Sequence, residues 1–285
     1  MTVVGFVGLG NMGRPMATNV ARAGFDLVCF DAAGTHERLP HGATAAADLA
    51  DLFARADTVL LSVPDGAATR AIVDEIVAAA DRRLTTVVDL STVGPQVAGE
   101  VAEQLQTIGV TYTDGPVSGG VAGARAATIS MMFAGPADIL ETNRPVLEAI
   151  AGNVFHVGTR AGQGQAMKLL NNYLSATALA ATSEAIAFGV AEGLAMGVIL
   201  DVLNVSTGRN SASSDKFPNR VVTGSYDAGF HTRLMAKDVR LFLDSVARTG
   251  TAATVAESVS DVWRRADEAM PGSDFTQIWQ FVSGR

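Results

Sequence analysis

The first half of the chain alternates short apolar runs with longer stretches in which apolar residues recur every three or four positions. Short apolar runs predict buried β-strands, and the longer repeating pattern predicts amphipathic helices. Strands and helices in alternation are typical of a mostly parallel, doubly wound α/β sheet. We predict strands at residues 3–7, 27–31, 58–63, 86–90, 111–114, 129–134 and 154–157, and helices at 12–23, 67–80, 95–107 and 136–149.

This alternation ends near Gly158. Beyond Gly164 one long apolar helix runs to about Glu192, and no later segment has a convincing strand pattern. Shorter amphipathic helices are predicted at residues 198–205, 237–249 and 254–269. We therefore predict an α/β domain over residues 1–162 and an all-helical domain over residues 163–285, joined by the long helix.

Composition narrows the class of protein. The 285 residues are 48% hydrophobic, which can supply a substantial core, and the net charge of −8 argues against nucleic-acid binding. Several polar residues interrupt the apolar stretch 169–191, so we interpret it as a buried helix and expect no membrane span. The four histidines and one cysteine lack metal-ligand spacing. The chain starts without the pattern of a secretory signal, and we expect a cytoplasmic protein.

A glycine-rich turn, Gly8-Leu9-Gly10-Asn11-Met12-Gly13, follows the first predicted strand. Gly8 permits a tight turn, Gly10 lets the backbone approach a pyrophosphate, and Gly13 lets the next helix pack closely. Asp31, at the end of the second strand, is placed to accept hydrogen bonds from an adenosine ribose. No Arg or Lys immediately follows Asp31 to neutralise a 2′-phosphate. The pattern predicts a Rossmann-like dinucleotide site that prefers NAD over NADP.

Three other predicted strands end in candidate binding segments, because ligands of such sheets bind beyond the carboxyl ends of the strands. Val63-Pro64-Asp65 and Ser91-Thr92-Val93 are either ligand contacts or ordinary turns and helix caps. The segment from Asp114 to Gly120 is either a flexible turn or an anion site. We favour the anion site, with Ser118 and the N–H groups of Gly119 and Gly120 binding a carboxylate.

Lys168 is the candidate general acid/base. It falls in the first turns of the long helix, with Asn172 one turn later on the same face. A lysine within a helix is most often a solvated surface residue. This helix, however, is apolar around much of its circumference, which favours a buried ammonium whose pKa is lowered toward the range useful for proton transfer.

Together with Lys237-Asp238, the segments around Gly8, Ser118 and Lys168 resemble the four signature segments of the β-hydroxyacid dehydrogenases, in order along nearly the whole chain. This group contains 3-hydroxyisobutyrate dehydrogenase and tartronate semialdehyde reductase. The resemblance implies a Rossmann-like domain, a long inter-domain helix, an all-helical C-terminal domain and a homodimer or homotetramer. It also assigns roles to individual positions: cofactor binding to the turn residues Gly8, Leu9, Gly10, Asn11, Met12 and Gly13, a place near the nicotinamide to Lys237, substrate-carboxylate binding to Ser118, Gly119 and Gly120, acid/base catalysis to Lys168, and substrate orientation to Asn172. By their places after the predicted strands, Asp31, Val63, Pro64 and Thr92 are the other candidate cofactor contacts.

The implied reaction is reversible hydride transfer between NAD and a small β-hydroxyacid similar to 3-hydroxyisobutyrate. Three alternatives share the fold. A 6-phosphogluconate dehydrogenase has a much larger helical domain than the roughly 120 residues after Gly164 supply. An imine reductase typically replaces the lysine, and a non-catalytic dinucleotide sensor would not need Lys168, Asn172 and Ser118 together. In the helical domain, Gly208-Arg209-Asn210-Ser211 and Asp215-Lys216-Phe217 either face the substrate or form a polar loop between helices.

Overall fold

The computed structural model describes residues 2–284 and divides into two compact units, the first ending at Lys168 and the second beginning at Leu169. The predicted boundary at 162/163 coincides instead with the start of the long helix. The strands of the first unit are β1 (Val3–Val7), β2 (Asp26–Phe30), β3 (Thr44–Ala45), β4 (Thr58–Leu61), β5 (Thr86–Asp89), β6 (Thr111–Asp114), β7 (Val117–Ser118), β8 (Ile129–Ala134) and β9 (Ala151–Gly158). Its helices are α1 (Gly13–Arg22), α2 (Leu49–Arg55), α3 (Gly66–Ala78), α4 (Pro95–Gln106), α5 (Gly120–Ala126) and α6 (Ala137–Ile150).

These strands form one sheet in the order β3-β2-β1-β4-β5-β6-β8-β7, with β9 paired to β8. The first six strands in this order run parallel, whereas β8 is antiparallel to both β6 and β7. The order of the parallel strands is that of dinucleotide-binding sheets. It places the ends of β1, β4, β5 and β6 along one edge.

Both faces of the sheet are covered by helices, which is why its central strands are apolar throughout. Successive side chains of a strand point to opposite faces. Phe6 and Leu60 accordingly pack with α1 and α6, whereas Val59 and Leu61 pack with α2, α3 and α4. The doubly wound α/β prediction is confirmed.

The structure contains elements that the sequence pattern did not predict. Strand β3 has two residues, which is too short to show a periodicity. Strand β7 and helix α5 fall within and just after the segment that we interpreted as a turn or an anion site. Helix α5 consists mainly of glycine and alanine, and Ala124 is its one buried residue, so it lacks an apolar stripe.

The second unit is helical. The long helix α7 (Gln163–Ala191) starts in the first unit and is followed by α8 (Met196–Asn204), a π-helical segment at Ala212–Val221, α9 (Thr232–Thr249), α10 (Thr254–Ala269) and α11 (Ile278–Ser283). The core contains the fully buried Trp263, whose indole N–H donates to the Ala176 carbonyl oxygen at 3.3 Å. Within the described residues of this unit, strand pairing is limited to one isolated bridge between His231 and Asp274.

By length and apolar composition, α7 is the one helix among the described residues that could cross a membrane. Of its most apolar window, 39% is buried within the protein, and core helices of soluble proteins meet the same criteria. Leu174 and Phe188, on the same helix, are 60% and 69% exposed. The helix therefore carries both buried positions and an uncovered apolar surface.

Candidate active site

The turn between β1 and α1 needs glycine at both of its ends. Gly8 has a φ of +93°, and a Cβ there would lie 2.2 Å from the Ser62 carbonyl oxygen. A Cβ on Gly13 would lie 1.9 Å from the Gly8 carbonyl oxygen. At Gly10, by contrast, nothing lies within 4 Å of an added Cβ. The turn is thus tight where it packs and open where a pyrophosphate would approach, so its residues fit a dinucleotide.

Asp31 is held beside this turn by both of its carboxylate oxygens. Oδ2 accepts from the Leu9 N–H at 2.6 Å, and Oδ1 accepts from the Ala33 N–H at 2.8 Å. Oδ1 also pairs with the Arg38 guanidinium at 3.0 Å. Sequence reasoning considered only the residues directly after Asp31 and missed this cation seven positions later. Its charge partly offsets that of Asp31 where the ribose is expected.

A cavity of about 630 Å³ lies along α1 and includes the glycine turn in its lining. This volume is in the range of small-molecule sites. Besides residues 9–11, four arginines line the cavity, namely Arg14, Arg22, Arg38 and Arg125. A chain of net charge −8 therefore concentrates positive charge beside its expected phosphate site.

The loops after β4 and β5 are joined by a serine. Ser91 Oγ accepts from the Val63 N–H at 2.9 Å, and the Ser91 N–H donates to Asp89 Oδ1 at 2.9 Å. Asp65 caps α3 by accepting from the Ala68 N–H at 3.0 Å, as its helix-cap interpretation predicts. Pro64 and Thr92 lie in these two loops, at the edge of the sheet where β1 also ends.

The predicted anion segment is an ordered turn from strand to helix. Ser118 pairs with Ser130 of β8, and Gly120 begins α5. Gly119 has a φ of +137°, and a Cβ there would lie 3.0 Å from the Ile129 Cγ2 atom. Gly119 is thus the residue at which strand β7 gives way to helix α5. The backbone N–H groups at the start of α5 follow Ser118 directly.

A buried carboxylate caps the start of α7. Asp114, the last residue of β6, accepts from the Gly162 N–H at 2.8 Å and from the Gln165 N–H at 2.7 Å. Burial, helped by the negative charge of Asp89, raises the pKa of Asp114 to about 7 against the lowering effect of these two donors. Burial also raises the pKa of Asp89, which accepts from the Thr69 and Tyr112 hydroxyls.

Lys168 is buried, with 8% of its surface exposed, which rules out a solvated surface lysine. The helix segment that carries it packs very closely on the sheet. A Cβ on Gly164 would lie 2.3 Å from the Met132 carbonyl oxygen and 2.7 Å from Asp114 Oδ2. Glycine at this position lets the lysine-bearing helix begin against the end of β6 and the backbone of β8.

In the second unit, Asp238 binds two of the predicted site residues. Asn172 Nδ2 donates to Asp238 Oδ2 at 2.6 Å, and Lys237 Nζ lies 3.2 Å from Asp238 Oδ1. Asp238 is only 2% exposed. It was predicted only as part of a motif, without a role, although an acidic residue next to Lys237 was a usable signal.

The segments 208–211 and 215–217, which were predicted either to face the substrate or to form a polar loop, make contacts mainly within their own unit. Phe217 is fully buried in the helical core, and Asn210 accepts from the Ala212 N–H at 2.8 Å. Lys216 pairs with its neighbour Asp215 at 3.0 Å. Among residues 2–284 as a whole, no three His, Cys, Asp or Glu side chains are grouped so that they could hold a metal ion.

Fold and turn together define a dinucleotide-binding protein of the Rossmann-like class. Residues 3–158 match the NAD-binding domain of 6-phosphogluconate dehydrogenase, and residues 162–282 match the NAD-binding domain of NADP-dependent 3-hydroxyisobutyrate dehydrogenase. The chain belongs to the β-hydroxyacid dehydrogenase family and is a nicotinamide-dependent hydroxyacid oxidoreductase.

Individual relatives cover all or nearly all of the chain. A 3-hydroxyisobutyrate dehydrogenase of Pseudomonas aeruginosa is 35% identical over 100% of both chains. An NAD-dependent L-serine dehydrogenase of the same organism is 34% identical over 93% of this chain and 92% of its own. The structure of Mycobacterium tuberculosis 3-hydroxyisobutyrate dehydrogenase with L-serine superimposes with a TM-score of 0.92 at 34% identity, covering 99% of each chain.

Proposed function

We propose that this protein reversibly oxidises a small β-hydroxyacid similar to 3-hydroxyisobutyrate, with NAD as cofactor and Lys168 as general acid/base. The observation that carries the proposal is the burial of Lys168 at the capped start of α7. A buried lysine near the edge where the cofactor loops end is suited to proton transfer at the substrate oxygen.

In the proposed mechanism, Ser118 and the N–H groups of Gly119 and Gly120 bind the substrate carboxylate. This fixes which carbon of the substrate faces the nicotinamide, which takes up or gives back the hydride. In oxidation, neutral Lys168 accepts the hydroxyl proton at Nζ as the carbinol carbon loses its hydride. In reduction, the ammonium returns that proton to the carbonyl oxygen.

NAD preference is proposed from Asp31, which accepts from a ribose hydroxyl but repels a 2′-phosphate. The similarity to an NAD-dependent L-serine dehydrogenase over 93% of this chain supports this choice. Arg38 at 3.0 Å weakens the repulsion, so we expect a preference and not an exclusion.

Asn172 is proposed to orient the substrate, and Lys237 to line the cofactor site, both steadied by Asp238. The buried lysine favours this reaction over that of an imine reductase, and over a sensor without chemistry. We also propose a homodimer or homotetramer in the cytoplasm.

A substrate panel tests the proposal with purified protein. Absorbance of the reduced nicotinamide is followed with 3-hydroxyisobutyrate, 3-hydroxypropionate, serine and glycerate. The matched controls are 2-methyl-1-propanol and 1-propanol, which lack the carboxylate. We expect turnover of at least one acid and very slow use of both alcohols. Equal use of the alcohols, or no reaction with any acid, would overturn the proposal.

A further inference from the structure

A buried glutamine near the start of α7 is bonded to the loop that follows β5. Gln165 is fully buried. Its Oε1 accepts from the N–H groups of Val93 at 2.9 Å and Gly94 at 3.2 Å, and its Nε2 donates to the Ser91 carbonyl oxygen at 2.9 Å. These three bonds bracket Thr92, a proposed cofactor contact.

The same bonds extend to a second cofactor loop. The Ser91 carbonyl oxygen accepts from Gln165, and the Ser91 hydroxyl oxygen accepts from the Val63 N–H. The loop carrying Val63 and Pro64 is therefore joined through Ser91 to the Gln165 side chain. Both loops lie at the edge of the sheet that binds the dinucleotide.

Gln165 belongs to the same helix as Lys168, and its backbone is bonded to the end of β6. Its own N–H donates to Asp114 Oδ2 at 2.7 Å. Lys168 follows three residues later, a rise of about 4.5 Å along the helix, on a neighbouring face. A shift of Gln165 relative to the β5 loop would therefore move Lys168 relative to that loop.

We propose that Gln165 is a positioning residue, which sets the separation between Lys168 and the loops that contact the cofactor. The inference rests on the proposed role of Lys168. Hydride and proton transfer need the acid/base, the substrate and the nicotinamide in one geometry, and a misplacement of about 1 Å can cost roughly 100-fold in rate. A glutamine suits the task because its amide both accepts and donates without charge.

The principal test compares two buried amides of the first unit. Gln165→Met removes the three bonds at similar volume. Asn143→Leu is the control, because Asn143 is 4% exposed and bonds Thr58 Oγ1 at 2.9 Å, at the start of β4 and away from the cofactor edge. Both substitutions remove buried hydrogen bonds. Only the first breaks a contact to the cofactor loops.

We expect Gln165→Met to lower kcat by about 10- to 100-fold, with a much smaller change in the KM for NAD. Asn143→Leu is expected to lower the thermal midpoint as well but to keep kcat within about twofold of the unchanged protein. Wild-type kcat in Gln165→Met, or an equal loss in Asn143→Leu, would reduce Gln165 to a stabilising residue and overturn the inference.

In Gln165→Glu, we expect kcat to be partly restored in a way that depends on pH. A protonated glutamate can still donate to the Ser91 carbonyl oxygen, whereas an ionised one would repel it. The ratio of its kcat to that of the unchanged protein should therefore rise as pH falls, and the ratio for Gln165→Met should stay flat. Asp114 accepts from the Gln165 N–H and Asp89 accepts from the Ser91 N–H, so both carboxyl groups face this network, and the pH profile of Gln165→Met is the reference for their titration. A flat ratio in Gln165→Glu contradicts the inference.

These outcomes separate the inference from the proposed function. If the unchanged protein oxidises no hydroxyacid, the proposed function fails. If it does, and Lys168→Ala is inactive while Gln165→Met is fully active, only the positioning role fails.

Discussion

Asp31 and Arg38 show how one ion pair bears on cofactor choice. The carboxylate repels a 2′-phosphate, while the guanidinium 3.0 Å away would attract it if the carboxylate were neutral. The sequence predicted the first effect from residues next to Asp31. It could not show the second, because the fold of the loop brings Arg38 back.

Replacing Asp31 with asparagine should therefore shift preference toward NADP. We expect the ratio of kcat/KM for NADP to that for NAD to rise roughly 10- to 100-fold, since repulsion is removed and Arg38 is released. The measurement is steady-state kinetics with both cofactors at one ionic strength. Adding Arg38→Ala should remove most of the gain. An unchanged ratio in Asp31→Asn would show that this carboxylate does not select the cofactor.

Ser118 gives a second test, this time of substrate binding. Its hydroxyl is proposed to hold the carboxylate in the ground and transition states alike, so Ser118→Ala should raise the KM for the acid with little effect on kcat. A hydrogen bond to a charged group corresponds to a change of roughly tenfold or more. The KM for NAD is the internal control and should not change. A fall in kcat at constant KM would place Ser118 in the chemical step.

Among the structural elements, the start of α7 was predicted to within two residues, but the contacts that hold it were not predicted. The glycine turn and the strand alternation were predicted because periodicity and spacing carry that information locally. The bonds from Gln165 to Ser91, Val93 and Gly94 span more than 70 positions, and no local pattern indicates them. Strand β7 was missed because it has only two residues, and helix α5 because it consists mainly of glycine and alanine.

Asp114, which caps this helix, is expected to make the stability of the fold depend on pH. The pKa of Asp114 rises from an ordinary value near 3.8 to about 7 in the folded protein, which therefore holds a proton more tightly than the unfolded chain. Between these two values, the contribution of this group to stability must fall as pH rises. Asp89 and Tyr112 interact electrostatically with Asp114, and the raised pKa of Asp89 changes stability in the same direction.

Asp114→Asn should remove part of this fall in stability with rising pH. We expect the free energy of unfolding of the variant, relative to the unchanged protein, to rise with pH between about 5 and 7 and then level off. Denaturant titrations at a series of pH values measure it. Loss of the hydrogen-bond acceptor should also lower the free energy of unfolding by the same amount at every pH. The test is therefore how the difference between the two proteins changes with pH. Parallel curves across this range would contradict the raised pKa.

For the chain as a whole, the uncovered apolar surface of the second unit predicts self-association. Leu174 and Phe188 on α7, Val198 and Val202 on α8, and Val205 directly after α8 are each more than half exposed. Such residues at helical spacing are typical of an interface between subunits. This surface is the structural basis for the proposed homo-oligomer.

Phe188→Glu should therefore weaken association, because it would place a charge in the contact. Sedimentation velocity at micromolar concentration should show a dimer or tetramer for the unchanged protein and a smaller species for the variant. Phe155→Glu is the matched control, since Phe155 is 54% exposed on β9 of the other unit, and it should leave the oligomer intact. A monomeric unchanged protein would contradict the proposal.

The most direct test of the central claim is the Lys168→Ala variant, measured for turnover and for nucleotide binding in the same preparation. If Lys168 transfers the proton, kcat should fall by about 10² to 10⁴, the usual contribution of a positioned acid/base. The affinity for NADH, followed by its fluorescence, should be unchanged, because the glycine turn and Asp31 are intact. Turnover near that of the unchanged protein, with normal NADH binding, would contradict the role of Lys168.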